Sequence, residues 1–167
     1  MADGMADGVA DRKAAGVADG APSPQQVADL VCDGMLRNDR ATRMLGMQVV
    51  EMRPGGATLT MTVREEMLNG HDTCHGGLIS TLADSAFAFA CNSYGELTVA
   101  SSFSVDFVAP GRLNDVLTAR CTEVSKAGRT GVYDCDVTNQ HGERIAVFRG
   151  RSYTIKGKLA VPPKNAG

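Results

Sequence analysis

Apolar residues recur at helical spacing in two stretches of the chain and at alternate positions in several others. After Ser23-Pro24, Val27, Leu30, Val31 and Met35 fall three or four apart. This predicts a helix over about 24–38, with Ser23 as N-cap and Pro24 in the first turn. Asn38-Asp39 breaks or restarts it, and Gly46 closes a short second piece after Leu45. Residues 47–53 and 57–63 read as a hairpin around Pro54-Gly55-Gly56, since Ala57, Leu59, Met61 and Val63 alternate with three threonines. A polar loop, REEMLNGHDTCH, follows. From Gly76 to Tyr94 the period is helical again: Leu78, Ile79, Leu82, Ala83, Ala86, Phe87 and Ala90 form one broad apolar stripe. The other face carries Gly77, Ser80, Thr81, Asp84, Ala88 and Cys91. These side chains are small for a solvent face and suit another backbone lying close.

The remainder reads as strands at about 97–108, 114–125, 130–139 and 143–155, with turns at Pro110-Gly111, Lys126-Ala127-Gly128 and His141-Gly142. Short turns predict an antiparallel meander. The order α-β-β-α-β-β-β-β implies an α+β domain in which a six-stranded antiparallel sheet curls around the long 76–94 helix.

Composition limits the ordered region and the partners. Residues 1–22 are dominated by Ala, Asp and Gly, with little to bury, and are expected to be disordered; residues 23–157 form the domain and 158–167 a non-folding tail. Aromatics are only 5% of the 167 residues and Trp is absent, so the core must be mainly aliphatic. A net charge of -2 without a basic stripe argues against nucleic acid. No apolar run approaches the roughly 18 residues needed to span a bilayer, and the first twenty residues lack the apolar core of a secretory signal. Five cysteines, an odd number with no CxxC pair, read as reduced thiols of a cytoplasmic protein.

The sharpest chemical feature is His75-Gly76-Gly77 at the start of the long helix, with Asp84 two turns further in. Glycines there let a ligand approach backbone N–H groups that the helix leaves unpaired. Those N–H groups and the helix dipole could stabilise an oxyanion formed from a carbonyl. A nearby carboxylate could attack that carbonyl or activate water. The same residues also have plainer readings: a structural glycine pair, a solvated aspartate, a histidine that shapes its loop. His71, Cys74 and His75 could hold a metal, but no fourth ligand lies close in sequence, and no metal is expected. Cys74 beside His75 could be a nucleophile pair, although adjacent residues seldom face each other.

The stretch NGHDTCHGGLISTLADSAFAFACNS, followed by VASSFSVDFVAPG, GRTGVYDCDVTNQ and FRGRSY, resembles the phenylacetate-degradation type of hotdog-fold thioesterase over about residues 35–155. The resemblance implies hydrolysis of acyl-CoA thioesters, especially ring-hydroxylated phenylacetyl-CoA, with no cofactor beyond the coenzyme A of the substrate. It places Asp84 at the catalytic carboxylate and Gly76 at the N–H that polarises the carbonyl. Asn69 and His75 match loop positions lining the reacting centre, and Asn38 another position proposed to act. It also implies a homo-oligomer, a dimer of dimers, whose sites take residues from two chains.

Gly77, Ser101, Ser102, Lys126, Arg129 and Arg151 are candidate contacts to substrate or coenzyme A, the cations to its phosphates, with Arg149 a further candidate cation. Phe87, Phe89, Phe103 and Phe107 could line an aryl pocket, though most belong in a core. Two other functions compete: a non-catalytic acyl-CoA sensor of the same fold, and a dehydratase or hydratase. The sensor reading lacks a DNA-binding segment, and the dehydratase reading calls for a different histidine motif.

Overall fold

The computed structural model describes residues 20–161. Most of the expected N-terminal disorder, residues 1–19, and the last six residues of the expected tail lie outside the described residues.

Helix α1 (Pro24–Asn38) starts as its sequence predicts. Ser23 Oγ accepts from Gln26 N–H at 3.2 Å, and Gln26 Oε1 accepts from Ser23 N–H at 2.7 Å, a reciprocal capping box. Asp39 then restarts the chain: it follows α1 and caps α2 (Arg40–Met44), accepting from the N–H and hydroxyl of Thr42. Gly46, at φ 68°, turns the backbone out of α2 in a conformation costly for other residues.

Strands β1 (Gln48–Arg53) and β2 (Gly56–Thr62) form the expected hairpin. A loop with one short 3-10 turn leads to α3 (Gly76–Asn92). Four strands follow: β3 (Glu96–Phe107), β4 (Val116–Ala127), β5 (Thr130–Thr138) and β6 (Arg144–Leu159). They complete one six-stranded antiparallel sheet.

The strand order corrects one expectation. The sheet runs β1-β2-β4-β5-β6-β3, so the meander covers only β4, β5 and β6. β3 pairs with β6 at the far edge, and the chain crosses between β3 and β4 through residues 108–115. That connection is too long for a tight hairpin. It is captured on the β2 side, where Asn114 N–H donates to Val63 C=O and Val63 N–H to Asp115 C=O. β6 also runs beyond the expected domain end at 157: Leu159 pairs with Glu96, and Ala160 and Val161 pack on the core.

The sheet wraps α3. Leu82, Ala83, Ala86, Phe87, Phe89 and Ala90 are buried against inward residues of the sheet such as Leu59, Leu117, Tyr133, Ile145 and Phe148. The wrapping is wider than one stripe, since Phe89 and Cys91 are buried too. Towards its C-terminus α3 is clamped by Asn92, whose amide donates to Thr98 C=O and accepts from Thr98 N–H. This ends the helix two residues before the expected Tyr94. The flank bearing Gly77, Ser80, Thr81, Asp84 and Ala88 is left less covered. No helix among the described residues is long and apolar enough to cross a membrane.

Candidate active site

Residues 68–77 form a knotted turn that delivers the start of α3. Asn69 is the knot. Its Oδ1 accepts from His71 N–H, Thr73 N–H and the Thr73 hydroxyl, while its backbone N–H donates to Thr73 C=O. With Oδ1 occupied, the Asn69 amide presents Nδ2 as its free end. The turn is bolted to the fold twice more: His75 N–H donates to Met67 C=O at 2.9 Å, and Cys74 N–H to Gly111 C=O at 2.8 Å.

His75 is the N-cap of α3. Its Nδ1 accepts from Gly77 N–H at 3.0 Å, and its carbonyl accepts from Leu78 N–H at 2.9 Å. The bond to Nδ1 places the proton of the neutral ring on Nε2. The Gly77 N–H, expected as a ligand contact, is therefore already used. Gly76 N–H has no acceptor among the described residues. It is the free donor at the helix N-terminus, where the dipole favours negative charge.

A cavity of about 410 Å³ opens beside it, lined by Gly76 and Asn69 together with Ile79, Phe107, Val108 and Pro110 among others. This is within the range of small-ligand sites, roughly 300–1,000 Å³. Asn69 and Thr73 bring polar side chains to its lining, and Gly76 and Gly111 their backbone, beside apolar Ile79, Phe107, Val108, Ala109 and Pro110.

Asp84 lies on the less covered flank of α3, half-buried. Its carboxylate makes no hydrogen bond or ion pair among the described residues. Burial alone lifts its pKa above the ordinary carboxylate range. A carboxylate desolvated without a counter-charge is unusually basic, as general-base chemistry requires. Gly76 and Asp84 are eight residues apart on one helix, about 12 Å along the axis at 1.5 Å per residue.

The other candidates separate. Asn38 is exposed at the end of α1 and takes no part in the hydrogen bonds of the 68–77 turn. Ser101 and Ser102 lie exposed at a register shift of β3; Ser101 Oγ donates to Arg151 C=O at 3.0 Å, and neither serine bonds to Asp84. Lys126 Nζ sits 4.1 Å from the centre of the Tyr94 ring, and the Arg129 guanidinium 4.4 Å from that of Tyr153, with Nε donating to Thr154 C=O. Arg149 is bound by both Asp134 oxygens, at 2.6 and 2.7 Å. Arg151 is exposed and forms no ion pair among the described residues.

His71 is exposed while Cys74 is buried, so the two do not converge. Among the described residues no three His, Cys, Asp or Glu side chains group to hold a metal. The Cys74 thiol is pushed up to about 11 by burial first and then by Asp115, the reverse of nucleophile activation. Phe87 and Phe89 are core, whereas Phe103 and Phe107 are half-exposed.

The sequence reading missed the brace behind the turn. Asp115 Oδ2 accepts from Arg112 N–H and its Oδ1 from the Gln140 amide, and Gln140 Oε1 accepts from Val116 N–H. This holds the crossover whose Gly111 carbonyl anchors Cys74. No local pattern announces it, because the partners lie about 25 residues apart.

Comparison with known proteins gives the same picture. The thioesterase superfamily model matches residues 71–146, from the knotted turn into β6. Acyl-coenzyme A thioesterase PaaI of Escherichia coli is 46% identical over 125 residues, covering 75% of this chain and 89% of that protein. A putative esterase of Archaeoglobus fulgidus is 35% identical over 130 residues, 78% of this chain and 84% of that protein. The structure of the E. coli PaaI protein from the phenylacetic acid degradation operon aligns with a TM-score of 0.80 at 43% identity, covering 81% of this chain and 99% of that one. A hypothetical thioesterase of Streptococcus pneumoniae with coenzyme A aligns with a TM-score of 0.64 at 28% identity, covering 67% of this chain and 90% of that one. The chain belongs to the hotdog-fold acyl-CoA thioesterases of the thioesterase superfamily.

Proposed function

We propose that the protein hydrolyses arylacyl-CoA thioesters, of the phenylacetyl and hydroxyphenylacetyl kind, to the free acid and coenzyme A. The observation that carries this is the Gly76 N–H, unpartnered among the described residues at the start of α3, with Gly76 itself lining a cavity of mixed polar and apolar character. The thioester carbonyl oxygen accepts from Gly76 N–H, with Asn69 Nδ2 as a second donor. As the tetrahedral intermediate forms, negative charge grows at that oxygen and the two bonds strengthen. Asp84 takes a proton from water, the resulting hydroxide attacks the carbonyl carbon, and collapse expels the thiolate. A thiol with a pKa of about 8.5 leaves readily, so no strong acid is needed. No cofactor enters these steps.

The Asp84 that serves a given carbonyl comes from a second copy of the chain. About 12 Å of helix separates Gly76 from Asp84 within one copy, well beyond the reach of one side chain to a carbonyl held at the helix start. β3 offers a free edge with exposed Val99 and Phe103, as an edge-to-edge contact between copies requires. A dimer of such dimers completes the assembly. Lys126, Arg129 and Arg151 have no ion pair among the described residues and are the proposed partners of the coenzyme phosphates. Arg129→Ala and Arg151→Ala should each raise KM several-fold with kcat unchanged, the mark of lost uniform binding. An unchanged KM in both assigns the phosphates elsewhere.

The test of the activity is release of coenzyme A thiol from a panel of acyl-CoA esters, read with a thiol reagent. Phenylacetyl-CoA and its hydroxy derivatives should turn over fastest. Asp84→Asn should lose on the order of a thousand-fold in kcat with its fold intact. Stoichiometric binding without thiol release would instead mark an acyl-CoA sensor.

A further inference from the structure

Phe107 ends β3 and points its ring at Gly76. A methyl group on Gly76 would lie 3.0 Å from Cζ of that ring and 3.3 and 3.4 Å from its two Cε atoms. The ring therefore rests on the backbone that carries the free N–H. Phe107 also lines the 410 Å³ cavity, next to Ile79, Val108 and Ala109. The other half-exposed phenylalanine of β3, Phe103, is stacked on Phe148 at 5.0 Å, and Phe87 packs with Tyr133 and Phe148 in the core. Phe107 has no aromatic partner among the described residues and remains 51% exposed. An open, apolar ring surface thus stands beside the one free donor of the helix start.

A carbonyl oxygen about 2.9 Å from the Gly76 nitrogen has its carbon about 4 Å away, so the acyl substituent begins next to the ring that covers Gly76. Resting on the acyl-CoA reading above, we propose that Phe107 determines acyl selectivity, an arylacyl ring stacking on its open surface. A short straight acyl chain covers only part of that surface and gains less. The contact also adds a reason for glycine at position 76: a side chain there would drive the ring from its place.

Phe107→Leu keeps an apolar side chain over Gly76 but removes the ring. The ratio of kcat/KM for phenylacetyl-CoA to that for butyryl-CoA should fall roughly ten-fold, a typical size for a lost aromatic contact. Phe107→Tyr, which keeps the ring, should hold the ratio within about two-fold. Thermal melting and light scattering verify fold and assembly, and Phe107→Met replaces the leucine variant if that one fails to fold. A parallel readout is affinity for two unreactive thioethers, S-phenethyl-CoA and S-butyl-CoA, whose preference should change in step. A ratio unchanged in the ringless variant, or an equal loss on both substrates, overturns the assignment. No thiol release by the wild type, with a thioether preference that still depends on Phe107, would sink the hydrolase reading and leave the pocket assignment standing.

Discussion

Asp84 within α3 and His75 at its N-cap carry separate predictions. In the proposed mechanism the ionised Asp84 is the base, and burial lifts its pKa. Activity should therefore fall on the acid side with a midpoint above the ordinary carboxylate value, and a kcat/KM profile against pH, which reports the free enzyme, measures it. The same shift has a cost in stability. A folded-state pKa above the unfolded one makes the group's contribution complete below the unfolded pKa and lost as pH rises through the folded one. Asp84→Asn should thus melt higher than the wild type at neutral pH, and the difference should vanish below about pH 4, where the carboxyl is protonated in both states. His75 acts on structure through its cap. His75→Ala leaves Gly77 N–H unpaired and should cost about 0.5–2 kcal/mol, a few degrees in Tm. His75→Asn, which can still cap, should recover the Tm; recovery of kcat as well would make the cap its whole role.

At the scale of elements, the fold depends on how tightly β6 closes over α3. Gly150 lies where they meet: a methyl group there would stand 2.9 Å from two Phe87 ring atoms and 3.0 Å from Phe148. Gly150→Ala should destabilise by about 1–3 kcal/mol through overpacking, roughly 2–10 °C in Tm. A neutral Tm would show that the Phe87 ring can yield. The helical and strand periods made α1, α3 and the β1–β2 hairpin legible, because each is decided within a dozen residues by caps and alternation. Capping by Ser23 and the Asp39 restart follow from local chemistry alone. The crossover between β3 and β4 is not legible in the sequence, because Pro110-Gly111 reads as a turn equally well whether the next strand folds back or crosses over. Hydrogen bonds from Val63 to residues 114 and 115 decide the matter, and they join positions some fifty residues apart.

For the whole molecule, the proposed mechanism divides the site between two copies. Asp84→Asn and a variant that disables the Gly76 side, such as Gly76→Val, should each be inactive alone. Coexpressed, they should form mixed dimers with one intact site each and recover about a quarter of wild-type activity per chain, from random pairing of two-fold related copies. No recovery, with mixed dimers verified by differential tags, would place both groups in one chain.

By itself the sequence determined the elements, the helix start and the identity of its chemical groups, since propensity, capping and glycine placement act over a few residues. It also determined that Gly76 and Asp84 ride on one helix, eight residues apart. Only the tertiary structure decided which N–H stays free, because His75 takes that of Gly77 and leaves that of Gly76. Only it showed that Asn69 turns its carbonyl inward to tie the loop, and that Phe107, thirty-one residues away in sequence, covers the helix start. These are outcomes of packing between segments remote in the chain, and no local pattern encodes which remote side chain arrives.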